Sequence, residues 1–112
     1  MGIQAFTKTG NTVAFLAATS APTAVQAAST TLGGNQYRII NSSSNVTVFL
    51  GYGATASDAT NNAVIVTTSA GSGAFPLLPG TDEILTFTPN AYFTGICSSG
   101  NATIYITPGD GL

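Results

Sequence analysis

Few side chains in this sequence could do acid–base or nucleophilic chemistry: four acidic residues, one cysteine and no histidine. Asp82 and Glu83 are adjacent carboxylates, but neighbouring residues of a strand point to opposite faces, so they cannot share a proton as a catalytic dyad does. Cys97 would need a nearby base to act as a nucleophile, and the chain offers no histidine. We therefore expect a protein that is not an enzyme and that uses no metal or other cofactor.

Gly51 and Gly53 follow a predicted strand and precede a possible helix, as in the glycine-rich turn of dinucleotide-binding units. No long helix is predicted after them, and no acidic residue stands at the distance at which such units bind the ribose. We interpret the two glycines as residues that let the end of a strand bend tightly.

Charged residues make up 5% of the chain, and the net charge is −2. Soluble domains typically carry about a quarter charged residues, so Ser, Thr, Asn and Gln must supply most of the polar surface here. Weak charge repulsion permits close packing against neighbours. The composition favours a protein that works inside an assembly, with a monomer of sufficient polar surface as the alternative.

Lys8 and Arg38 are the only cations of the sequence. They cannot neutralise a run of phosphates, so we expect no binding of nucleic acid or of an acidic membrane. No apolar run reaches membrane length, and the first residues do not fit a secretory signal. We expect the protein to be made and kept in a cytoplasm.

Alternating apolar and polar residues predict β-strands along the chain. Three extended runs separated by turns lie within 82–110, with the segment 98–101 as a hairpin turn. In the last run Ala102, Ile104 and Ile106 share one face, as in a strand with one dry side. The carboxyl-terminal third is therefore predicted to be an antiparallel meander.

Further strands are predicted at 3–7, 12–18, 25–28, 36–40, 46–50 and 63–68. Those at 36–40 and 46–50 are the richest in β-forming residues and are predicted to be central. Segment 54–62 has the composition of one or two helical turns behind a Ser or Thr cap. The chain is thus predicted to be a single all-β domain over 1–112. We expect a two-sheet β-sandwich or jelly roll of about eight short antiparallel strands, with at most one short helical turn near 55–62.

The side chains of Cys97 and Arg38 are predicted to have structural roles. Cys97 cannot form a disulfide within a chain that has one cysteine, and it is predicted to be a small buried hydrophobe. Arg38 lies in a predicted strand and is expected to pair with Asp82 or Glu83, which would clamp two strands together. A contact with a partner chain is the alternative role for Arg38.

The segment 75–80 is apolar but contains Pro76 and Pro79, which lack the N–H groups that a central strand needs. We expect it to lack regular structure. An apolar segment of this kind either plugs the core or contacts a partner, and the sequence favours neither.

Three segments carry a resemblance to a known class of proteins. They are NQYRIINSSSNVTVFLGYG at 35–53, FPLLPGT at 75–81 and PNAYFTGICSSGNATIYITPGDG at 89–111. Their pattern of strands and turns resembles small virion proteins of tailed bacteriophages, in particular capsid decoration or cement proteins. Such proteins are compact β-sandwich or jelly-roll modules on the outer face of the capsid lattice.

The resemblance implies a non-enzymatic protein that stabilises a capsid by binding its major capsid protein, as a homo-oligomer, either dimer or trimer. It also implies a location on the outer capsid surface of the virion, after assembly in the host cytoplasm. The expected contact residues are the apolar ones near the start of the chain and around the two prolines: Ile3, Phe6, Phe75, Pro76, Leu77, Leu78 and Pro79.

Two other functions fit the same sequence. One is a structural part of the virion at the base of a head fibre, in the neck or in the tail. The other is a carbohydrate-binding or adhesive β-sandwich module. Such a module normally has a platform of Trp or Tyr, whereas this chain has no Trp and its four Tyr residues lie in different runs.

Overall fold

The computed structural model describes residues 6–29 and 34–110. These residues form nine strands and one short helix, in the order β1 (Thr7–Lys8), β2 (Val13–Ala17), β3 (Val25–Gln26), β4 (Gln36–Asn41), β5 (Val48–Gly53), α1 (Ala56–Asn62), β6 (Phe75–Leu77), β7 (Asp82–Thr86), β8 (Tyr92–Ile96) and β9 (Ala102–Asp110). No helix among the described residues has the length and apolar character needed to cross a membrane.

The strands form two antiparallel sheets. Sheet A has the order β1-β9-β4-β7, and β2 also pairs with β9, alongside β1. Sheet B has the order β3-β8-β5-β6. The predicted all-β, two-sheet sandwich is confirmed, and β4 and β5 are interior strands of their sheets as predicted.

The core lies between the inner faces of the two sheets. Each sheet contributes fully buried side chains, among them Ile39 and Ile106 from sheet A and Leu50 and Phe93 from sheet B. Cys97 is also buried, as predicted. An edge-to-face contact between Tyr37 and Phe93, with ring centroids 4.9 Å apart, joins the sheets near one end.

Helix α1 covers part of the outer face of sheet B. It begins behind Thr55, whose hydroxyl accepts a hydrogen bond from the Asp58 N–H at 3.2 Å. A side chain at Gly51 or Gly53 would collide with atoms of α1, and neither glycine has a positive φ. The predicted role of these two glycines, a tight bend at the end of the strand, is therefore wrong. Glycine is needed at both positions because the helix and the strand approach each other closely.

The predicted antiparallel meander at 82–110 is wrong, because β7 and β9 belong to sheet A whereas β8 belongs to sheet B, so the consecutive strands there do not pair. Two further predicted elements also differ in the structure. The segment 63–68 is not a strand, since its one pairing is an isolated bridge between Thr67 and Ala70. The segment 75–80 was expected to be irregular, but its first three residues form strand β6. Pro76 is tolerated there because β6 pairs with β5 on one side only and leaves its other edge free of ladder partners among the described residues.

Candidate interaction surfaces

Asp82 and Glu83 do not form a joint site, because they alternate along β7. Asp82 instead forms a two-point ion pair with Arg38 on the neighbouring strand. The Arg38 Nε donates to Asp82 Oδ1 at 2.9 Å, and Nη2 donates to Oδ2 at 2.5 Å. This hydrogen bonding lowers the pKa of the Asp82 carboxyl below its ordinary value. The predicted pairing of Arg38 is confirmed, and it clamps β4 to β7.

Tyr37 and Cys97 are buried and already hydrogen-bonded. The Tyr37 hydroxyl donates to the Thr88 carbonyl at 2.6 Å and accepts from the Ala91 N–H at 3.0 Å. Burial raises the pKa of Tyr37 and also that of the Cys97 thiol. Within residues 6–29 and 34–110, no three His, Cys, Asp or Glu side chains are grouped closely enough to hold a metal ion.

Of the two predicted contact residues near the start of the chain, Phe6 lies at one end of β4. Ile3 falls outside the described residues. The ring of Phe6 packs over Gly109, which is paired with Gln36 at the first position of β4. Phe6 is half-buried by this contact.

The predicted contact residues around the prolines lie at the other end of β4. The side-chain amide of Asn41, the last residue of β4, donates to the carbonyl of Leu77. Five residues of a strand span about 17 Å, so the structure does not bring Phe6 and Leu77 together. Because Leu77 is fully buried, its side chain packs in the core and is not available to a partner.

Three of the remaining predicted contact residues are exposed. Leu78 has 64% of its surface exposed, and Pro76 and Pro79 are exposed beside it, whereas Phe75 is half-buried. We call Pro76, Leu78 and Pro79 the proline tip. It offers one large apolar side chain to a partner.

A second apolar surface lies on the outer face of sheet A, which faces away from the core. In the strand register Leu16 of β2 stands opposite Thr103, and Tyr105 is two residues further along β9. Tyr105 stands directly opposite Ile40 of β4. Ile40 stands opposite Asp82, two residues before Ile84 in β7. Diagonal neighbours of this kind are about 7–8 Å apart, close enough for long side chains to touch.

Leu16, Tyr105, Ile40 and Ile84 therefore form one line across four strands, which we call the apolar stripe. Exposure is 52% for Leu16, 48% for Ile84 and 41% for Tyr105. With strands about 4.8 Å apart, the stripe extends roughly 14 Å across the sheet. Exposed apolar side chains that line up in this way mark a contact surface more strongly than scattered ones do.

The surroundings of the apolar stripe are polar but almost uncharged. On one side the Thr12 and Thr107 hydroxyls are hydrogen-bonded to each other at 2.7 Å. The Arg38 and Asp82 charges are paired on the same face. A partner that covers the apolar stripe therefore has few isolated charges to desolvate.

A shallow cleft lies on the opposite side of the sandwich. Its volume is about 490 Å³, and it separates residues 21–24 from α1. Hydroxyl and amide groups of Thr23, Ser57, Thr60 and Asn61 line it. This lining could hydrogen-bond a small polar ligand, but it contains no aromatic ring on which a sugar could stack.

Sequence reasoning missed the apolar stripe, although part of the signal was present. The alternation in β9 correctly places Thr103, Tyr105 and Thr107 on one face. Leu16 and Ile84 lie in runs that are apolar at successive positions, so the sequence does not tell which of their residues face outward. Their alignment depends on strand register, which only the structure supplies.

The fold and surfaces define a small antiparallel β-sandwich with two exposed apolar areas, the apolar stripe and the proline tip. No family model, curated protein or solved structure matches the chain. Its function is therefore inferred from its own residues and surfaces.

Proposed function

We propose that this chain is a non-enzymatic structural protein of a tailed-phage virion, which decorates the capsid and stabilises it by binding the lattice of the major capsid protein. The observation that carries the proposal is the apolar stripe, a line of exposed apolar side chains on a domain with very few charges. The sequence segments that resemble capsid decoration proteins support the same function.

The apolar stripe suits binding by burial of surface. Covering apolar area contributes about 25 cal/mol per Å², so a fully covered Leu or Ile side chain contributes roughly 1.5–3 kcal/mol. A contact of this size is modest for one copy. A lattice repeats it at every equivalent position, so many copies together can resist expansion of the shell.

The scaffold behind the apolar stripe is suited to carrying load. Leu16 and Tyr105 stand on neighbouring strands of sheet A, and the Arg38–Asp82 pair joins two further strands of that sheet, β4 and β7. A surface held in place by backbone ladders loses little conformational entropy when it binds. We propose that this face lies against the capsid.

The proline tip is a second candidate contact. It corresponds to the residues predicted from the sequence, but Leu78 is its one large exposed side chain. The apolar stripe offers three such side chains, so we propose that it carries most of the binding and that the proline tip contributes less.

Binding to capsids that lack the protein tests both the function and the surface. Purified chain should bind such capsids and raise the temperature at which they rupture. Leu16→Lys places a charge in the apolar stripe and should weaken binding roughly tenfold or more, the equivalent of about 1.4 kcal/mol. Leu78→Lys should have a smaller effect.

The matched control is Asn61→Lys, which adds the same charge to the exposed side of α1. It should bind like the unmodified chain. Failure of the unmodified chain to bind any capsid component would contradict the proposal. Loss of binding in Leu78→Lys alone would assign the contact to the proline tip.

A role elsewhere in the virion, at a head-fibre base, neck or tail, uses the same kind of surface. It would be recognised by binding to neck or tail proteins and not to the shell.

The polar lining of the cleft beside α1 suggests a second candidate function, carbohydrate binding, although no aromatic ring lines the cleft. The four tyrosines weaken it, because Tyr37 and Tyr52 lie in the ring cluster between the sheets, while Tyr92 and Tyr105 lie on outer faces of different sheets. Glycan-dependent changes in tyrosine fluorescence would support this candidate over the capsid role.

A further inference from the structure

Strand β7 is an edge of sheet A, and one side of its backbone has no ladder partner among the described residues. Two hydrogen bonds at the ends of β7 show which of its backbone N–H and C=O groups point away from β4. Phe87 N–H donates to the Asn35 carbonyl at 2.7 Å, and Asn41 N–H donates to the Thr81 carbonyl at 2.9 Å. In an antiparallel ladder, residues alternate between pointing their N–H and C=O groups toward the partner strand and away from it.

The alternation assigns every residue of β7. The odd-numbered residues, Glu83 and Leu85, direct their backbone groups toward β4. The even-numbered residues, Asp82, Ile84 and Thr86, direct theirs outward, and all three are exposed. The outward groups are therefore spaced symmetrically about Ile84.

We infer that β7 of one copy pairs antiparallel with β7 of a second copy, with the two-fold axis at Ile84, so that the two A sheets become one continuous sheet. In this register the backbone of Ile84 forms hydrogen bonds with the backbone of Ile84 in the other copy. The backbone of Asp82 forms them with Thr86 of the other copy. Each outward N–H then meets an outward carbonyl. The inference needs no capsid, so it can fail or succeed independently of the proposed function.

The charges of β7 are compatible with this register. Acidic residues on an edge strand usually discourage pairing, because like charges meet. Here the antiparallel arrangement places Asp82 opposite Thr86 and Glu83 opposite Leu85. Asp82 is also neutralised by Arg38 of its own chain. The two Glu83 side chains become diagonal neighbours, about 7–8 Å apart, and their repulsion is the one unfavourable charge contact among the β7 side chains in this register.

The apolar stripe gives an independent reason for the same pairing. Ile84 is its last residue on the β7 side, with 48% of its surface exposed. Pairing across the axis at Ile84 brings the two copies of Ile84 together on the outer face. The apolar stripes of the two copies then form a single line across the joined sheet, which doubles the contact surface available to a partner.

The other edge strands are less suited to self-pairing. Strand β6 contains Pro76, which lacks an N–H, and β1 and β3 have two residues each. Strand β2 is tied to sheet B at its end, where Cys97 N–H donates to the Ala18 carbonyl at 2.9 Å. Among the described strands, β7 thus has the longest edge without such protection.

Self-association of the purified chain tests the inference. An edge of five residues buries less area than a stable dimer needs, so pairing should be weak and should increase with concentration. Sedimentation velocity over a wide concentration range should show a monomer–dimer equilibrium. Amide exchange should slow with concentration at Asp82, Ile84 and Thr86. It should change less at Glu83 and Leu85, whose N–H groups already bond to β4.

Two substitutions at the axis should abolish association. Ile84→Pro removes an outward N–H that the β4 ladder does not use. Ile84→Glu places two like charges at the axis, while Arg38 of the same chain, directly opposite on β4, stabilises the new carboxylate within the monomer. If the proline variant does not fold, the glutamate variant carries the test. Glu83→Gln removes the diagonal repulsion and should strengthen association severalfold.

Leu16→Lys is the matched control, because it charges an exposed apolar residue of the same face on a different strand. It should associate like the unmodified chain. A chain that stays monomeric at every concentration would overturn the inference. So would a dimer that survives Ile84→Glu but dissociates with Leu16→Lys, since that result assigns the contact to stacked sheet faces.

Discussion

The side-chain amide of Asn41 donates to the backbone carbonyl of Leu77 at 3.0 Å, and this contact links the end of sheet A to the edge of sheet B. The same amide donates to the Val46 carbonyl at 2.9 Å, and its oxygen accepts from the Ser43 N–H at 3.1 Å. Asn41 is fully buried. One polar side chain thus fixes the connection between β4 and β5 and positions β6, the strand that contains Pro76 of the proline tip.

Asn41→Leu should destabilise the fold strongly. The substitution leaves the Val46 and Leu77 carbonyls without their donor, and each buried unsatisfied group costs about 1–3 kcal/mol. Urea unfolding should show a loss of at least about 2 kcal/mol. The control Asn61→Ala changes an exposed residue of α1 and should stay within about 0.5 kcal/mol of the unmodified protein. A small effect at Asn41 would contradict its linking role.

Gly51→Ala should also destabilise the protein, because the added methyl group meets the backbone at Ala59 of α1 and at Ala63, the residue that follows the helix. Backbone cannot rotate away as a flexible side chain can, so the expected cost is about 1–3 kcal/mol. Gly71→Ala is the control, since open space surrounds Gly71. Equal melting temperatures for the two variants would show that α1 does not need the glycine.

The pKa of Asp82 should depend on Arg38. Because the folded-state pKa is lowered, the pair stabilises the fold at pH values above the ordinary carboxyl pKa of about 3.9, and this contribution disappears as the pH falls through the lower folded value. Arg38→Gln should return the pKa of Asp82 toward its ordinary value in an NMR titration. Lys8→Gln should leave it unchanged. The effect on stability should be small, since both side chains are about half exposed.

Tyr37→Phe removes the hydroxyl that bonds to Thr88 and Ala91, and it should cost about 1–3 kcal/mol. Burial raises the pKa of Tyr37, so its contribution is complete below the ordinary tyrosine pKa of about 10 and is lost as the pH rises through the higher folded value. In Tyr37→Phe, the free energy of unfolding should no longer show this decrease at alkaline pH. Tyr105→Phe, which changes an exposed ring, should behave like the unmodified protein.

Much of the fold follows from local patterns in the sequence. The period of two in β9 predicts that Ile104 and Ile106 face the core, and both are fully buried. The scarcity of charges leaves Arg38 few partners, which is why its pairing could be predicted. The composition of 54–62, with good helix formers behind a Ser or Thr cap, predicts a short helix near 55–62, and Thr55 is the cap in the structure.

Other features depend on neighbours that a sequence does not reveal. Residues 64–66 are β-branched, yet no strand within the part of the chain that the structure describes pairs with them, and Val64 is half exposed. Phe75–Leu77 forms a strand because β5 offers a partner edge, and Pro76 is tolerated because β6 is itself an edge strand. The apolar stripe combines residues from four strands, so its existence depends on register and could not be predicted.

The central claim is that this chain acts by contact, as a repeated part of a phage shell. The most direct measurement is the protein composition of virions purified from cells that make this chain, with its copy number per particle and its position in a reconstruction. The proposal predicts many copies at equivalent positions on the outer shell, with sheet A facing the major capsid protein. A handful of copies at the neck or tail, or absence from the particle, would contradict it.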